Sequence, residues 1–273
     1  MVFEGTFDYG PAMSSPHPQE PADGETHFGF RAVPESEKAG MVRSVFDAVA
    51  PKYDLMNDLM SAGIHRLWKA AMVDWLAPRA GQAIIDVAGG TGDIAFRMLE
   101  RMETNTAAKV LPVTVCDINA EMLSVGRGRA VDRGRLNDVE WICGNAEALP
   151  FPDMSFDAYT IAFGLRNVTH IDKALAEGRR VLKPGGRLLC LEFSKVLVPV
   201  LDKIYDAYSF QVLPWLGGFV AGDREAYRYL AESIRRFPDQ DALAARMSAV
   251  GFDQVKVRNL SGGIAAMHSG WRI

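Results

Sequence analysis

The sequence predicts an α/β fold, a mostly parallel sheet with helices on both faces and an antiparallel last strand. Three observations carry it. Short apolar runs alternate with helical patterns from Ala83 to Phe193, the order expected of successive βα units. The first run ends in a glycine-rich turn, A-I-I-D-V-A-G-G-T-G-D over Ala83 to Asp93. The chain closes with two strand-like runs joined at Gly262-Gly263, a hairpin signal that turns the final strand antiparallel to its neighbours.

Composition narrows the class. The 273 residues are 48% hydrophobic, ample for one core, and the net charge of −4 comes from acids and bases mixed along the chain. Nothing in that balance asks for nucleic acid. Cys116, Cys143 and Cys190 all lie in apolar runs, so buried thiols and a reducing, cytoplasmic setting are expected. No run is long and apolar enough to span a bilayer, and the N-terminus lacks a basic-plus-apolar signal pattern.

Residues 1–27 carry prolines at 11, 16, 18 and 21 among scattered polar groups, too few large apolar ones to offset backbone ordering, and are expected to form a disordered tail. A single domain over 28–273 follows. Its first part, 28–80, reads as a helical cap. Met41, Val42, Val45, Phe46 and Val49 give helical spacing over Glu35 to Val49, ended by Pro51, and a second helix runs past His65 and Trp68 to about Leu76. Between them, Tyr53, Asp54, Asn57, Ser61 and His65 place polar groups in apolar helices, and these need partners from one another or from a ligand.

The glycine turn follows the first strand. Gly90 and Gly92 supply positive φ and let a ligand approach the backbone, and Asp86 is expected to fix the loop by accepting from its amides. A dinucleotide site wants G-x-G-x-x-G with a pyrophosphate at the helix start. Here Asp86, Ala88, Gly90 and Gly92 alternate, and Asp93 puts an anion where the pyrophosphate would sit. The loop therefore suits a ligand with positive charge and no phosphate, such as a sulfonium or an ammonium, with Asp93 in its pocket.

After helix Ile94 to about Glu103, strand Val110 to Cys116 ends in Asp117, positioned to accept both hydroxyls of a ribose. Helix Ala120 to Arg133 and strand Val139 to Cys143 lead to Asn145 and Ala146, placed to read an adenine edge. Strand Phe156 to Ala162 releases Phe163-Gly164-Leu165-Arg166-Asn167 onto the same cleft, because ligands of open α/β sheets bind beyond the strands' carboxyl ends. Helix Ile171 to Leu182 stops at a tight turn, Lys183-Pro184-Gly185-Gly186, before a buried strand Gly186 to Phe193 with Glu192 and Ser194 at its end. Residues 195–236 are rich in aromatic side chains, too long for a plain loop, and read as a helical lid over an apolar substrate. Helix Pro238 to Val250 and strands Gln254 to Asn259 and Ile264 to Arg272 complete the chain.

This order of elements resembles the seven-stranded, Rossmann-like class I fold of S-adenosylmethionine-dependent methyltransferases, over roughly Phe28 to Ile273. Two stretches narrow the resemblance. Tyr53-Asp54-Leu55-Met56-Asn57 with Ser61, His65 and Trp68, and Arg180-Val181-Leu182-Lys183-Pro184-Gly185-Gly186 with Glu192 and Ser194, are similar to the two signatures of the menaquinone/ubiquinone biosynthesis C-methyltransferase family. D-V-A-G-G-T-G-D, N-A-E-A-L-P-F and F-G-L-R-N are similar to that family too. The resemblance implies that Thr91, flanked by Gly90 and Gly92, binds S-adenosylmethionine together with Asp117, Asn145 and Ala146, with no metal expected. Ala162 stands where the family often has a cofactor-binding serine, so that contact is lost or falls to the backbone.

The reaction so implied moves a methyl from sulfonium to a ring carbon of a polyprenylated quinol. A ring carbon becomes nucleophilic when the neighbouring phenolic oxygen loses its proton, so the protein must aid that loss and align carbon, methyl and sulfur. Arg166 is the candidate for stabilising the phenolate or orienting a water, since a guanidinium does not serve as a base. Asn167 and Tyr53 are candidates for holding the ring oxygens, with the helix-borne His65 ranked behind them. A tailed substrate suggests peripheral contact with the inner membrane through the aromatic insertion, and the family setting admits other quinone-biosynthesis enzymes and a homodimer as partners. The competing classes are a nucleotide-dependent dehydrogenase, disfavoured by the glycine spacing, and a non-catalytic cofactor-binding scaffold.

Overall fold

The structure, a computed structural model, describes residues 24–49, 58, 61, 63–105, 110–196 and 224–273. Strands Glu25–Phe28 (β1) and Arg31–Pro34 (β2) pair antiparallel ahead of helix Glu35–Val49 (α1) and helix His65–Leu76 (α2). Then come Ile84–Val87 (β3), Asp93–Asn105 (α3), Val113–Asp117 (β4), Ala120–Asp132 (α4), Val139–Cys143 (β5) and Phe156–Ala162 (β6). Ile171–Val181 (α5), Leu182–Phe193 (β7), Arg224–Arg236 (α6), Gln240–Ala249 (α7), Asp253–Leu260 (β8) and Ala265–Arg272 (β9) finish the chain.

The last seven strands form one sheet in the order β5-β4-β3-β6-β7-β9-β8. The pairs from β5 through β7 are parallel, and β9 lies antiparallel between β7 and β8. The expected mixed sheet is therefore present. Strand order reverses between β3 and β6, which opens a crevice at their carboxyl ends.

Alternation along the strands feeds two cores. Ile84, Leu189, Leu191 and Phe193 pack on one face with Met72 of α2 and Phe96, Leu99 and Met102 of α3. Ile85, Leu188 and Cys190 point the other way, against Leu175 of α5 and Leu243 and Met247 of α7. Both faces are covered, which is why the central strands read as unbroken apolar runs. Among the described residues, no helix is long and apolar enough to cross a membrane.

Four details differ from the sequence reading. The hairpin at 25–34 was not expected, and order begins ahead of Phe28. Strand β4 starts at Val113 instead of Val110, because Pro112 has no N–H to give the ladder. The turn at Lys183 to Gly186 is absorbed into β7 as a bulge: Phe156 pairs with Leu182 but Ala158 with Arg187, and Gly185 carries φ +78. Cys143 is exposed at the end of edge strand β5, whereas Cys116 and Cys190 are buried as expected. Residues 1–23 of the expected tail and 197–223 of the expected lid lie outside the described residues.

Candidate functional site

The crevice at the β3/β6 reversal holds a cavity of about 430 Å³, within the usual size for a small-molecule site. The glycine loop supplies its floor. Gly90, at φ +52, turns its N–H onto Asp117 Oδ2 at 2.9 Å, while Asn119 N–H donates to Oδ1 at 2.8 Å. A Cβ on Gly90 would lie 2.9 Å from Met122 Cε, so only glycine sits there without displacing a neighbour. Backbone donors thus hold the Asp117 carboxylate, which lines the cavity. Burial pushes this carboxyl up to about 6, with the backbone donors pulling the other way.

The second loop meets the first at the reversal. A Cβ on Gly164 would sit 2.4 Å from Ala88 Cβ, so the two loops touch. Phe163 and Ala88, both at positive φ, share the lining there with Gly164 and Asn167. The roof is α1, whose Glu35, Ala39, Val42, Arg43 and Phe46 fall on one helical face and line the cavity. Ties at both ends hold that roof. Asn119, the N-cap of α4, accepts from Met122 N–H at 3.0 Å and donates through Nδ2 to Asp47 Oδ1 at 2.8 Å. At the other end Lys38 Nζ donates to Val168 O at 2.7 Å, and His170 lies 3.2 Å from Glu35. Burial, ahead of its charged neighbours, brings Lys38 down to about 8.

Of the residues singled out from the sequence, Gly90, Asp117, Asn145, Ala146 and Asn167 line this cavity. Thr91 and Gly92 do not. The Thr91 hydroxyl accepts from Arg129 Nη1 at 3.0 Å, and Gly92 is packed against Trp141. Arg166 is not in the lining either: its guanidinium pairs with Glu192 at 3.0 Å and donates to the Phe163 carbonyl. Tyr53, Asp54 and Asn57 lie outside the described residues. His65 is buried, lies outside the lining and bonds Asp58 Oδ1 at 2.8 Å; its pKa is lowered, chiefly by burial.

Two acids have other roles than expected. Asp86 takes no loop amide; it accepts from Thr160 Oγ1 at 2.7 Å, and burial raises it to about 7. Its Oδ2 lies beside the turn, where a Cβ on Gly89 would come within 2.6 Å of it, but it takes no hydrogen bond there. Asp93 is likewise absent from the cavity. Lys69 and Arg97, each at 2.9 Å, claim its oxygens and bring it down to about 2 against the opposing effect of burial. Its charge is neutralised locally, so it does not tune the pocket.

The sequence reading missed the inner face of α1, Asn119 and Glu147, whose carboxylate takes the Thr169 and His170 N–H groups at 2.6 and 3.1 Å. Asn119 was within reach, since an asparagine directly before a helical run is an N-cap signal. The arrangement combines an acid with two acceptor oxygens at one strand end, backbone polar groups beside it, and an apolar wall of Val42, Phe46, Met122 and Phe163. It can hold a nucleoside and present an apolar group next to the Gly164 contact.

Comparisons with known proteins identify the family and the fold. The model of the ubiE/COQ5 methyltransferase family matches residues 32–272. A ubiquinone/menaquinone biosynthesis C-methyltransferase UbiE of Paracoccus denitrificans is 58% identical over 256 residues, 94% of this chain and 99% of the relative. Its counterpart in Brucella canis is 58% identical over 251 residues, 91% of each chain. Among solved structures, a SAM-dependent methyltransferase from Thermotoga maritima aligns over 84% of this chain and 99% of its own, with a TM-score of 0.57 at 19% identity. Phosphoethanolamine N-methyltransferase 2 of Haemonchus contortus, in complex with S-adenosyl-L-methionine, aligns over 75% of this chain and 52% of its own, with a TM-score of 0.54 at 15% identity. At those identities the structures establish the fold, the class I methyltransferase sheet.

Proposed function

This chain belongs to the ubiE/COQ5 methyltransferase family, and we propose that it is an S-adenosylmethionine-dependent C-methyltransferase acting on the ring of a polyprenylated quinol. The substrate class is 2-polyprenyl-6-methoxy-1,4-benzoquinol, demethylmenaquinol, or both. The observation that carries this reading is the 58% identity, over almost the whole chain, to ubiquinone/menaquinone biosynthesis C-methyltransferases.

The residues present fit the cofactor. Asp117 presents its carboxylate to the cavity for the two ribose hydroxyls, Asn145 and Ala146 flank the adenine position, and Gly90 leaves the backbone open between them. Thr91 stands behind this lining, its hydroxyl engaged with Arg129, and supports the loop that Gly90 belongs to. When bound, the cofactor supplies a methyl group on a sulfonium. The chain's own part is orientation and proton handling. Asn167, at the cavity wall, offers its amide to a ring oxygen, and Tyr53 is its companion in that role. Arg166 acts one step removed, through its pairing with Glu192 and its bond to the Phe163 carbonyl, and fixes the loop on which Asn167 rides. The roof formed by α1 keeps water from the reacting atoms. The tail of such a substrate stays in a bilayer, so contact with a membrane surface is part of the proposal.

The test is product analysis. Purified protein is incubated with S-adenosylmethionine and short-chain benzoquinol or naphthoquinol, and the ring-methylated product is sought by mass spectrometry. Methyl transfer to neither ring, with cofactor binding intact by calorimetry, overturns the proposal.

A further inference from the structure

Behind the loop 163–167 lies a layer of contacts that the reaction scheme leaves unused. Tyr229, on α6, is 4% exposed and lies outside the cavity lining, and its hydroxyl donates to Asn167 Oδ1 at 3.0 Å. The other end of the same amide faces the Phe163 carbonyl, with Nδ2 at 3.5 Å. A carbonyl oxygen only accepts, so the amide nitrogen belongs at that end and its oxygen at the tyrosine. Burial raises the Tyr229 pKa, so the hydroxyl stays a donor.

The ring that carries this hydroxyl is itself held. Phe28 of β1 stacks on it at 4.1 Å between centroids and 16° between planes. Two residues on, Phe30 N–H donates to Glu232 Oε2 of the same helix at 3.0 Å. The hairpin and α6 therefore brace one another, and Tyr229 stands where they meet the loop.

We infer that Tyr229 is a positioning residue for methyl transfer: by donating to Asn167 Oδ1 it fixes the amide so that its nitrogen end serves as the donor to a ring oxygen of the quinol. The inference rests on the function proposed above. It gives the β1–β2 hairpin a purpose, since Phe28 of the hairpin stacks on the tyrosine ring.

Tyr229→Phe keeps the stacked ring and removes one hydrogen bond. The expected result is a kcat for short-chain quinol lower by roughly ten-fold, the loss of about one net hydrogen bond, with KM and cofactor affinity little changed. Added to Asn167→Ala, the same substitution is expected to cost nothing further, because the amide it orients is gone. Asn167→Asp keeps an acceptor for the tyrosine and loses the donor, so it too should lose kcat. A Tyr229→Phe protein with wild-type kcat, losses that multiply in the double variant, or a fully active Asn167→Asp protein would each overturn the inference. Wild-type protein that binds S-adenosylmethionine and methylates no quinol would overturn the proposed function, and this inference with it. An active wild type beside an equally active Tyr229→Phe removes the inference alone.

Discussion

Arg166 and Glu192 form an ion pair at 3.0 Å with side chains 2% and 1% exposed, and Glu192 also accepts the Arg166 backbone N–H at 3.2 Å. Burial pushes the Glu192 carboxyl up while the guanidinium opposes it. Removing one partner leaves the other charge buried, which typically costs about 3–5 kcal/mol. Arg166→Ala is therefore expected to lose thermal stability as well as turnover. The double variant Arg166→Met, Glu192→Gln carries neither charge and should regain most of the stability, read by chemical denaturation, while turnover stays low. Recovery of turnover along with stability would show that the pair serves folding only.

Asp117 predicts a pH dependence of cofactor binding. Its pKa of about 6 in the free protein means that the ionised, fully accepting form dominates above that pH and is lost below it. Affinity for S-adenosylmethionine should thus rise with pH through 6. At about pH 5 roughly a tenth of the sites are ionised, so binding should be about ten-fold weaker than at pH 8. Calorimetry at both values tests this. An Asp117→Asn protein should bind weakly at both, and a wild-type dissociation constant that ignores pH would refute the role.

The sheet and the strand ends were legible because their signals are local. Apolar runs of strand length, Gly90, and Asp117 at a strand's last position each depend on a few neighbouring residues. What escaped the sequence reading depends on partners far along the chain. Asp93 looked like an anion facing a ligand until Lys69 and Arg97 claimed it, and Arg166 looked cavity-facing until Glu192 took it into the core. The hairpin at 25–34 is short and is held by contacts far along the chain, Phe28 on Tyr229 and Phe30 N–H to Glu232, about 200 residues away.

The tie between Asn119 and Asp47 predicts how the roof controls cofactor release. Asn119 gives its backbone N–H to Asp117 and its side-chain amide to Asp47 of α1, so one residue joins Asp117 to the roof. Asp47 is exposed, and Asp47→Ala should leave the folded state nearly as stable. Cofactor dissociation should quicken by about two- to ten-fold, the worth of one hydrogen bond, with association little changed. Stopped-flow displacement reads the rate. An unchanged off-rate would mean that α1 stays in place without this tie.

Asp86 predicts a stabilising substitution. Its carboxyl rises from an ordinary value of 3.8 to about 7 because it is buried, despite the Thr160 hydroxyl donating to Oδ1, and among the described residues Oδ2 has no hydrogen-bond partner. Lys69 pulls the other way, while Asp117 and Asp93 add to the rise. Because its folded pKa is the higher one, the folded state binds more protons than the unfolded state between about pH 4 and 7. The corresponding stability is fully present below the unfolded pKa and is lost as pH rises through 7. Asp86→Asn still offers Thr160 an acceptor and has no charge to bury. The variant and the wild type should melt closest together near pH 4, the ordinary carboxylate value, and at about pH 8 the variant should melt several degrees higher, a few kcal/mol at roughly 2–4 °C each. Scanning calorimetry of the cofactor-free protein at the two pH values measures the gap; a difference of the same size at both would mean that Asp86 is ionised throughout.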